Sequence, residues 1–231
     1  IFEATVRCCT QNGVRGRSAT THFPIWHQEI EDILVIKNNK GTEDNRVRKL
    51  DYSIQISELF YKRFINNQDI SLFSPHDVDN LYDVFGSPEF DTLYEKYERN
   101  KKIPRKTINA QKLFMELLRE RAETGRIYIM NIDHCNTHSS FKDKVYMSNL
   151  CQEITLPTKP VQHIDDEEGE IALCILSAIN LGLIKDKEEL EELCDLSVRA
   201  LDEIIDYQEY PVAAAKKSTE ARRSLGIGYI G

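Results

Sequence analysis

The 231-residue chain is short of positive charge: 30 Lys and Arg stand against 38 Asp and Glu, a net charge of −8. A surface that grips nucleic acid by neutralising phosphates needs the opposite balance, so that role is excluded, while local basic sites for nucleotide phosphates stay open. No stretch approaches the roughly 18 to 20 consecutive apolar residues of a membrane-spanning helix. The start, Ile1 to Val6, has no basic leader before an apolar core, so a cytoplasmic protein is expected, or one of the host cytoplasm if viral. Cysteine is sparse and irregularly spaced (Cys8, Cys9, Cys135, Cys151, Cys174, Cys194). That excludes the disulfide framework of a small secreted domain and leaves reduced thiols with one or two chemical specialists. Internal repeats and low-complexity linkers are missing too. So is an initiator Met, and Gly226 to Gly231 offers no closing element, so an internal segment of a longer polypeptide is expected.

Apolar residues make up 41% of the chain, enough for the core of one large α/β domain. The residues through Cys9 predict a helix, and Thr10 to Thr21 a loop in which Gly13 and Gly16 permit close approaches. Beyond Pro24, Trp26, Ile30, Ile33 and Leu34 recur at helical spacing as far as Asn38 to Gly41. Leu59, Phe60, Phe64 and Ile65 form a stripe on a helix expected over about 52–66. Next come a strand over 70–73, a helix start at Ser74-Pro75, a solvated helix and loop over 88–103, and a helix over 107–123 stopped by Gly125. Strands over 126–130, 149–155 and 171–175 and a long helix over 187–207 complete an alternation that fits parallel βαβ crossovers.

Cys151 lies in Ser148-Asn149-Leu150-Cys151-Gln152-Glu153. In an extended segment the carboxamide, thiol and carboxylate, at alternate positions, face one side. Asn brings donors and an acceptor, Cys a thiol whose oxidation state can change, and ionised Glu a proton acceptor. Alone, Asn-x-Cys-x-Glu is short enough to occur by chance. On residue type alone, Asn149 and Glu153 serve equally as a turn-former and a surface acid, and Cys174, in Ile171 to Leu176, as a small buried hydrophobe. Asp133-His134-Cys135-Asn136-Thr137-His138 holds zinc-type ligands, yet a structural zinc site takes four in spaced pairs and no second pair is present. A hydrogen-bonded turn without metal is expected there. Cys8, Cys9 and Cys194 are expected to be packing residues, and Trp26, Tyr128 and Tyr207 core aromatics.

The Cys151 segment, Glu153 to Pro160 and Glu168 to Cys174 closely resemble the large catalytic subunit of class Ia ribonucleoside-diphosphate reductases. The resemblance extends, in the family's order, through Gly13 to Gly16, Pro24 to His27, Lys37 to Gly41, Leu72 to Asp77, Gly125 to Tyr128, Asp133 to His138 and Arg222 to Gly228. It implies a fold: an α/β barrel of ten strands, two halves of five parallel strands each, with the catalytic cysteine on an internal finger loop. Residues 1–231 then form a partial catalytic barrel domain, with the N-terminal ATP cone, the early barrel strands and the C-terminal portion outside it.

It also implies a chemistry. Cys151 carries a thiyl radical that removes the 3′-hydrogen of a ribose, Glu153 is the base on the 3′-hydroxyl, and Asn149 holds the sugar. Cys174 resembles one of two cysteines that reduce C2′ and end as a disulfide, its partner lying upstream of this segment. Thr10 to Gly16 resembles the specificity loop between an effector site and the substrate base, with base contacts from Gln11 and Arg15 and hinges at Gly13 and Gly16; Arg17 stands where the family often has glycine. The implied partners are a small (beta) subunit with a diiron centre and tyrosyl radical, a second large subunit in a homodimer, thioredoxin or glutaredoxin, and a nucleoside diphosphate substrate. ATP, dATP and other nucleoside triphosphates would be effectors, no cofactor is bound covalently, and the family's tyrosine relay belongs to a later segment. Two rivals are a catalytically silent nucleotide-binding or subunit-interaction piece and a radical enzyme acting on another substrate; Glu153 and the separate Cys174 favour the thiol-reduced diphosphate class.

Overall fold

The computed structural model describes residues 1–231 apart from Asn12, and of Gln11 and Asn45 the backbone alone. The chain divides into two compact units, residues 1–155 and 156–231. In the first, α1 (Phe2–Cys8) leads to an antiparallel ribbon of β1 (Thr10–Gln11) and β2 (Arg15–Gly16). Then follow β3 (Ala19–Pro24), α2 (Ile30–Leu34), β4 (Leu50–Ile56), α3 (Glu58–Ile65), β5 (Asp69–Leu72), α4 (Leu81–Val84), α5 (Glu89–Arg99), β6 (Lys106–Asn109), α6 (Ala110–Thr124), β7 (Ile127–Asn131) and α7 (Ile132–Thr137).

The sheet that matters for function is β3-β4-β7, parallel throughout, with His22, Ser53 and Tyr128 on one rung and Pro24, Gln55 and Met130 on another. Strand alternation gives it two unlike faces. Phe23, Tyr52, Ile54, Ile56, Ile127 and Ile129 pack against Ile30 and Leu34 of α2, Phe60 of α3, and Leu113 and Leu117 of α6. The opposite face carries Thr20, His22, Ser53, Gln55, Tyr128 and Met130, and there Ser53 and Gln55 are completely buried.

That alternation overturns one expectation: the helix over 52–66 begins only at Glu58, because the preceding residues follow a period of two rather than 3.6. Similarly, part of the expected loop up to Thr21 is β3. Residues 107–109 belong to β6, antiparallel to β5, and Asn109 caps α6 by accepting from the Lys112 amide at 3.2 Å. Gly125 ends α6 at φ 63, as expected, and β7 follows. The helix after Pro24 is short, Ser74-Pro75 opens only a 3-10 turn ahead of α4, and α5 is not wholly solvated, since it buries Phe90 and Tyr94. Those two rings join Trp26, Phe73, Phe85, Met130, Ile132 and Val145 in a second core. Two of its aromatic pairs meet edge-on, Trp26 with Phe85 at 5.9 Å and 85° and Phe73 with Tyr94 at 5.5 Å and 82°.

In the second unit β8 (Ile175–Asn180) runs parallel to β9 (Leu225–Ile230), with α8 (Lys187–Tyr207) and α9 (Ala213–Arg222) between them in the chain. The strand expected over 171–175 starts only at Ile175, whereas α8 covers the expected span and is capped by Asp186, which accepts from the Glu189 amide at 2.9 Å. Arg223, at φ 44, reaches back to α8 and pairs with Asp202 at 2.7 Å and Asp206 at 2.8 Å. Trp26 is a core aromatic as expected, but Tyr207 is exposed, as are Cys8 and Cys9: Tyr207 and Cys8 end helices on faces that nothing in their unit covers, and Cys9 is the extended residue after α1. Among the described residues the parallel strands lie in sheets of three and two, with no closed barrel, and no helix is long and apolar enough to cross a membrane. Ile54, completely buried at the centre of β4, tests the first core: Ile54→Ala should lower unfolding stability by about 2–5 kcal/mol in a denaturant titration.

Candidate functional site

The residues after α7 cross the polar face of β3-β4-β7. Val145 starts the crossing, completely buried, and Asn136 clamps it: Nδ2 donates to the Val145 carbonyl at 3.0 Å and Oδ1 accepts from its amide at 2.9 Å. The Asp133 to His138 motif is therefore helix α7 rather than a turn, and Asn136 is its working residue. A Cβ on Gly86, itself at φ 88, would fall 2.7 Å from Ile132 Cγ1 and 3.0 Å from Asn136 Nδ2, so only glycine lets α7 seat here.

The sheet then holds the loop by its backbone. Gln55 Nε2 donates to the Tyr146 carbonyl at 2.5 Å, while its Oε1 accepts from the Tyr82 hydroxyl at 3.2 Å. Thr20 Oγ1 donates to the Leu150 carbonyl at 2.6 Å, and His22 Nε2 to the Ser148 carbonyl at 3.1 Å. A carbonyl can only accept, so Nε2 carries the hydrogen of the ring. Burial lowers the His22 pKa from its ordinary value, outweighing the opposing pull of that carbonyl, and holds the imidazole neutral. At the apex Gln152, in the left-handed region at φ 64, accepts from Ser53 Oγ at 2.6 Å and donates to the Ile129 carbonyl at 2.7 Å.

Residues 149–155, expected as a strand, turn sharply instead at Leu150 to Gln152, with the Gln152 amide donating to the Asn149 carbonyl at 3.2 Å. Asn149 Oδ1 closes the turn by accepting from the Ile154 amide at 3.1 Å. Its Nδ2 has no partner among the described residues. Cys151 and Glu153 are both exposed, whereas the resemblance implied a thiol inside a barrel; the chain lays the loop across one sheet, and nothing among the described residues of 1–155 closes over the apex.

Tyr128, expected in the core, is half-buried on β7 beside the turn. Burial raises its phenol above the ordinary value, and the neighbouring acidic groups on the loop and on β4 push it the same way. Lys144, near the start of the loop, stacks over the Tyr146 ring at 4.7 Å and donates to the Asp83 carbonyl. Burial lowers its pKa to about 8 against the pull of Asp83, Glu89 and Asp133.

Cys174 belongs to the second unit, half-buried at the threshold of β8. A Cβ on Gly226 would come within 3.4 Å of its sulfur and 2.7 Å of Leu176 Cδ2, so glycine there leaves the sulfur room. On the ribbon, Gly13 is at φ 70, Arg15 and Gly16 are exposed, and the side chain of Gln11 lies outside the described residues. The anchoring residues Thr20, His22, Ser53, Gln55 and Gln152 escaped the sequence reading. Their signal was the alternation of polar with apolar side chains in 20–23 and 52–56.

The family described as ribonucleotide reductase, barrel domain, matches residues 1–231. The chain belongs to that family. It is 59% identical over 234 residues to the ribonucleoside-diphosphate reductase subunit alpha of Buchnera aphidicola subsp. Schizaphis graminum, and 57% identical to that of Haemophilus influenzae. Against ribonucleoside-diphosphate reductase 1 subunit alpha of Escherichia coli the identity is 54%. Each match covers 99% of this chain and 31% of the relative, so the ribonucleotide reductase segment described here spans about a third of the length of these relatives.

Two measurements test the loop. Gln152→Leu strands the buried Ser53 hydroxyl and should cost about 1–3 kcal/mol in urea unfolding, with faster proteolysis around residue 151. For Lys144, dimethylation with a ¹³C label should reveal an amine titrating near 8, a signal absent from Lys144→Arg. Because its folded pKa is depressed, the ammonium opposes folding below that value, and stability should rise with pH between about 8 and the ordinary 10.5.

Proposed function

We propose that this chain is part of the catalytic subunit of a ribonucleoside-diphosphate reductase, reducing ribonucleoside diphosphates to 2′-deoxyribonucleoside diphosphates for DNA synthesis. One observation carries the reading: an Asn-x-Cys-x-Glu turn fastened to the polar face of a parallel sheet through Gln152. Hydroxide is a poor leaving group from an unactivated ribose carbon, and a radical on the neighbouring carbon removes that obstacle. The sulfur of Cys151, oxidised to a thiyl, takes the hydrogen atom from C3′, so that a C–H bond breaks as S–H forms. Glu153 accepts the proton of the 3′-hydroxyl while the 2′-hydroxyl leaves as water, carrying a proton from a thiol. Asn149 donates from Nδ2 to a sugar oxygen and keeps C3′ within reach of the sulfur. Cys174 and a second cysteine supply two electrons and become a disulfide, and the hydrogen held on Cys151 returns to C3′.

The oxidising equivalent comes from the small subunit, whose diiron-tyrosyl centre supplies the radical chemistry, and thioredoxin or glutaredoxin restores the dithiol. The Gly13 to Gly16 ribbon responds to ATP, dATP or deoxynucleoside triphosphate effectors, with Gln11 and Arg15 at the base, in a large-subunit homodimer in the cytoplasm. The left-handed Gly13 and the exposed Arg15 support that assignment.

In the full-length enzyme with its small subunit and a dithiol reductant, Cys151→Ser should abolish deoxynucleotide formation while effector binding is retained. Glu153→Gln should lower turnover by about 10²- to 10⁴-fold, the usual worth of a general base. Undiminished turnover by Cys151→Ser would rule the assignment out.

A further inference from the structure

We propose that Gln152, latched to Ser53, is a positioning residue for Cys151 and Glu153; this rests on the catalytic reading of those two residues given above. Gln152 sits between them in the chain, and the sheet uses both ends of its amide. Oε1 accepts from the Ser53 hydroxyl of β4 at 2.6 Å, and Nε2 donates to the Ile129 carbonyl of β7 at 2.7 Å. On the other side of Cys151, Thr20 of β3 donates to the Leu150 carbonyl at 2.6 Å. The residues before and after the thiol are thus each tied to the sheet, from three different strands, and Cys151 is suspended between the ties. With Gln152 half-buried against the strands, its neighbours Cys151 and Glu153 are both exposed.

The backbone and the burial agree with a latch. Gln152 holds the left-handed region at φ 64, a conformation that a residue with a Cβ keeps only where its surroundings impose it. Ser53 is completely buried, yet its hydroxyl is directed at the turn. Hydrogen transfer to the sulfur requires thiol and base to face one sugar together, and a small misplacement of either is costly. A carboxamide suits this position because it accepts at one end and donates at the other, whereas a leucine of similar size does neither.

The test uses the full-length enzyme with its small subunit and a dithiol reductant. Gln152→Leu and Ser53→Ala should each lower kcat on the order of tenfold with KM for the nucleoside diphosphate unchanged, the pattern for groups that align reacting atoms without binding substrate. The double variant should lose little more than Gln152→Leu alone, because both changes break one hydrogen bond. With a 3′-deuterated substrate, the isotope effect on kcat should be larger in both single variants than in the parent, since a misdirected sulfur slows the hydrogen transfer itself. Loss of folded enzyme lowers the rate without changing the isotope effect. Ser53→Ala, the smaller change, carries the test if Gln152→Leu does not fold. Parental kcat in Ser53→Ala, or a fall in kcat with the isotope effect unchanged, overturns the proposal. Activity surviving Cys151→Ser overturns the catalytic reading instead, while an inactive Cys151→Ser beside a fully active Ser53→Ala overturns the latch alone.

Discussion

A run of backbone carbonyls without secondary structure has to cross a buried sheet face, and each carbonyl needs a donor there. In this chain the donors come from the sheet itself: Thr20, His22 and Gln55 serve Leu150, Ser148 and Tyr146, and Gln152 returns the favour by donating to Ile129 of β7. Everything proposed about the turn depends on this exchange. Without it Ser53 and Gln55 are polar groups buried at a cost, and the Cys151 turn has no fixed position.

The two faces of β3-β4-β7 divide the labour. Ile54 and its neighbours bury apolar surface against α2, α3 and α6 and make the sheet rigid, and the polar face uses that rigidity to place a loop. The second core continues the same logic, since Val145 and Met130 join Trp26 and Phe85 where the loop leaves α7. The Asn136 clamp and the glycine at position 86 that admits it fix the loop's entry. Scaffold and irregular apex are thus coupled through a few named side chains, which give the turn a fixed position.

Much of the order of elements was legible from periodicity. The span of α8, its Asp186 cap and the glycine stop of α6 follow from local signals, because capping and helical spacing act within a turn or two. The errors share one cause. Residues 52–56 were joined to the helical stripe that begins at Leu59, since a strand with one polar and one apolar face looks ambiguous beside a strong helix. Likewise 149–155 alternates in composition but turns in space, as the donors that bend it lie more than a hundred residues away in β3. No local signal marks a partner at that separation.

The sequence by itself determined the chemical inventory of the site and the family: an amide, a thiol and a carboxylate at alternate positions, and motifs in order along the chain. Only the tertiary structure decided that these groups ride on a turn and that Gln152 and the polar strand face hold it. The reason is physical. Residue types and short spacings are properties of the chain, whereas the direction of a side chain on an irregular loop is set by the hydrogen bonds its backbone makes with distant strands.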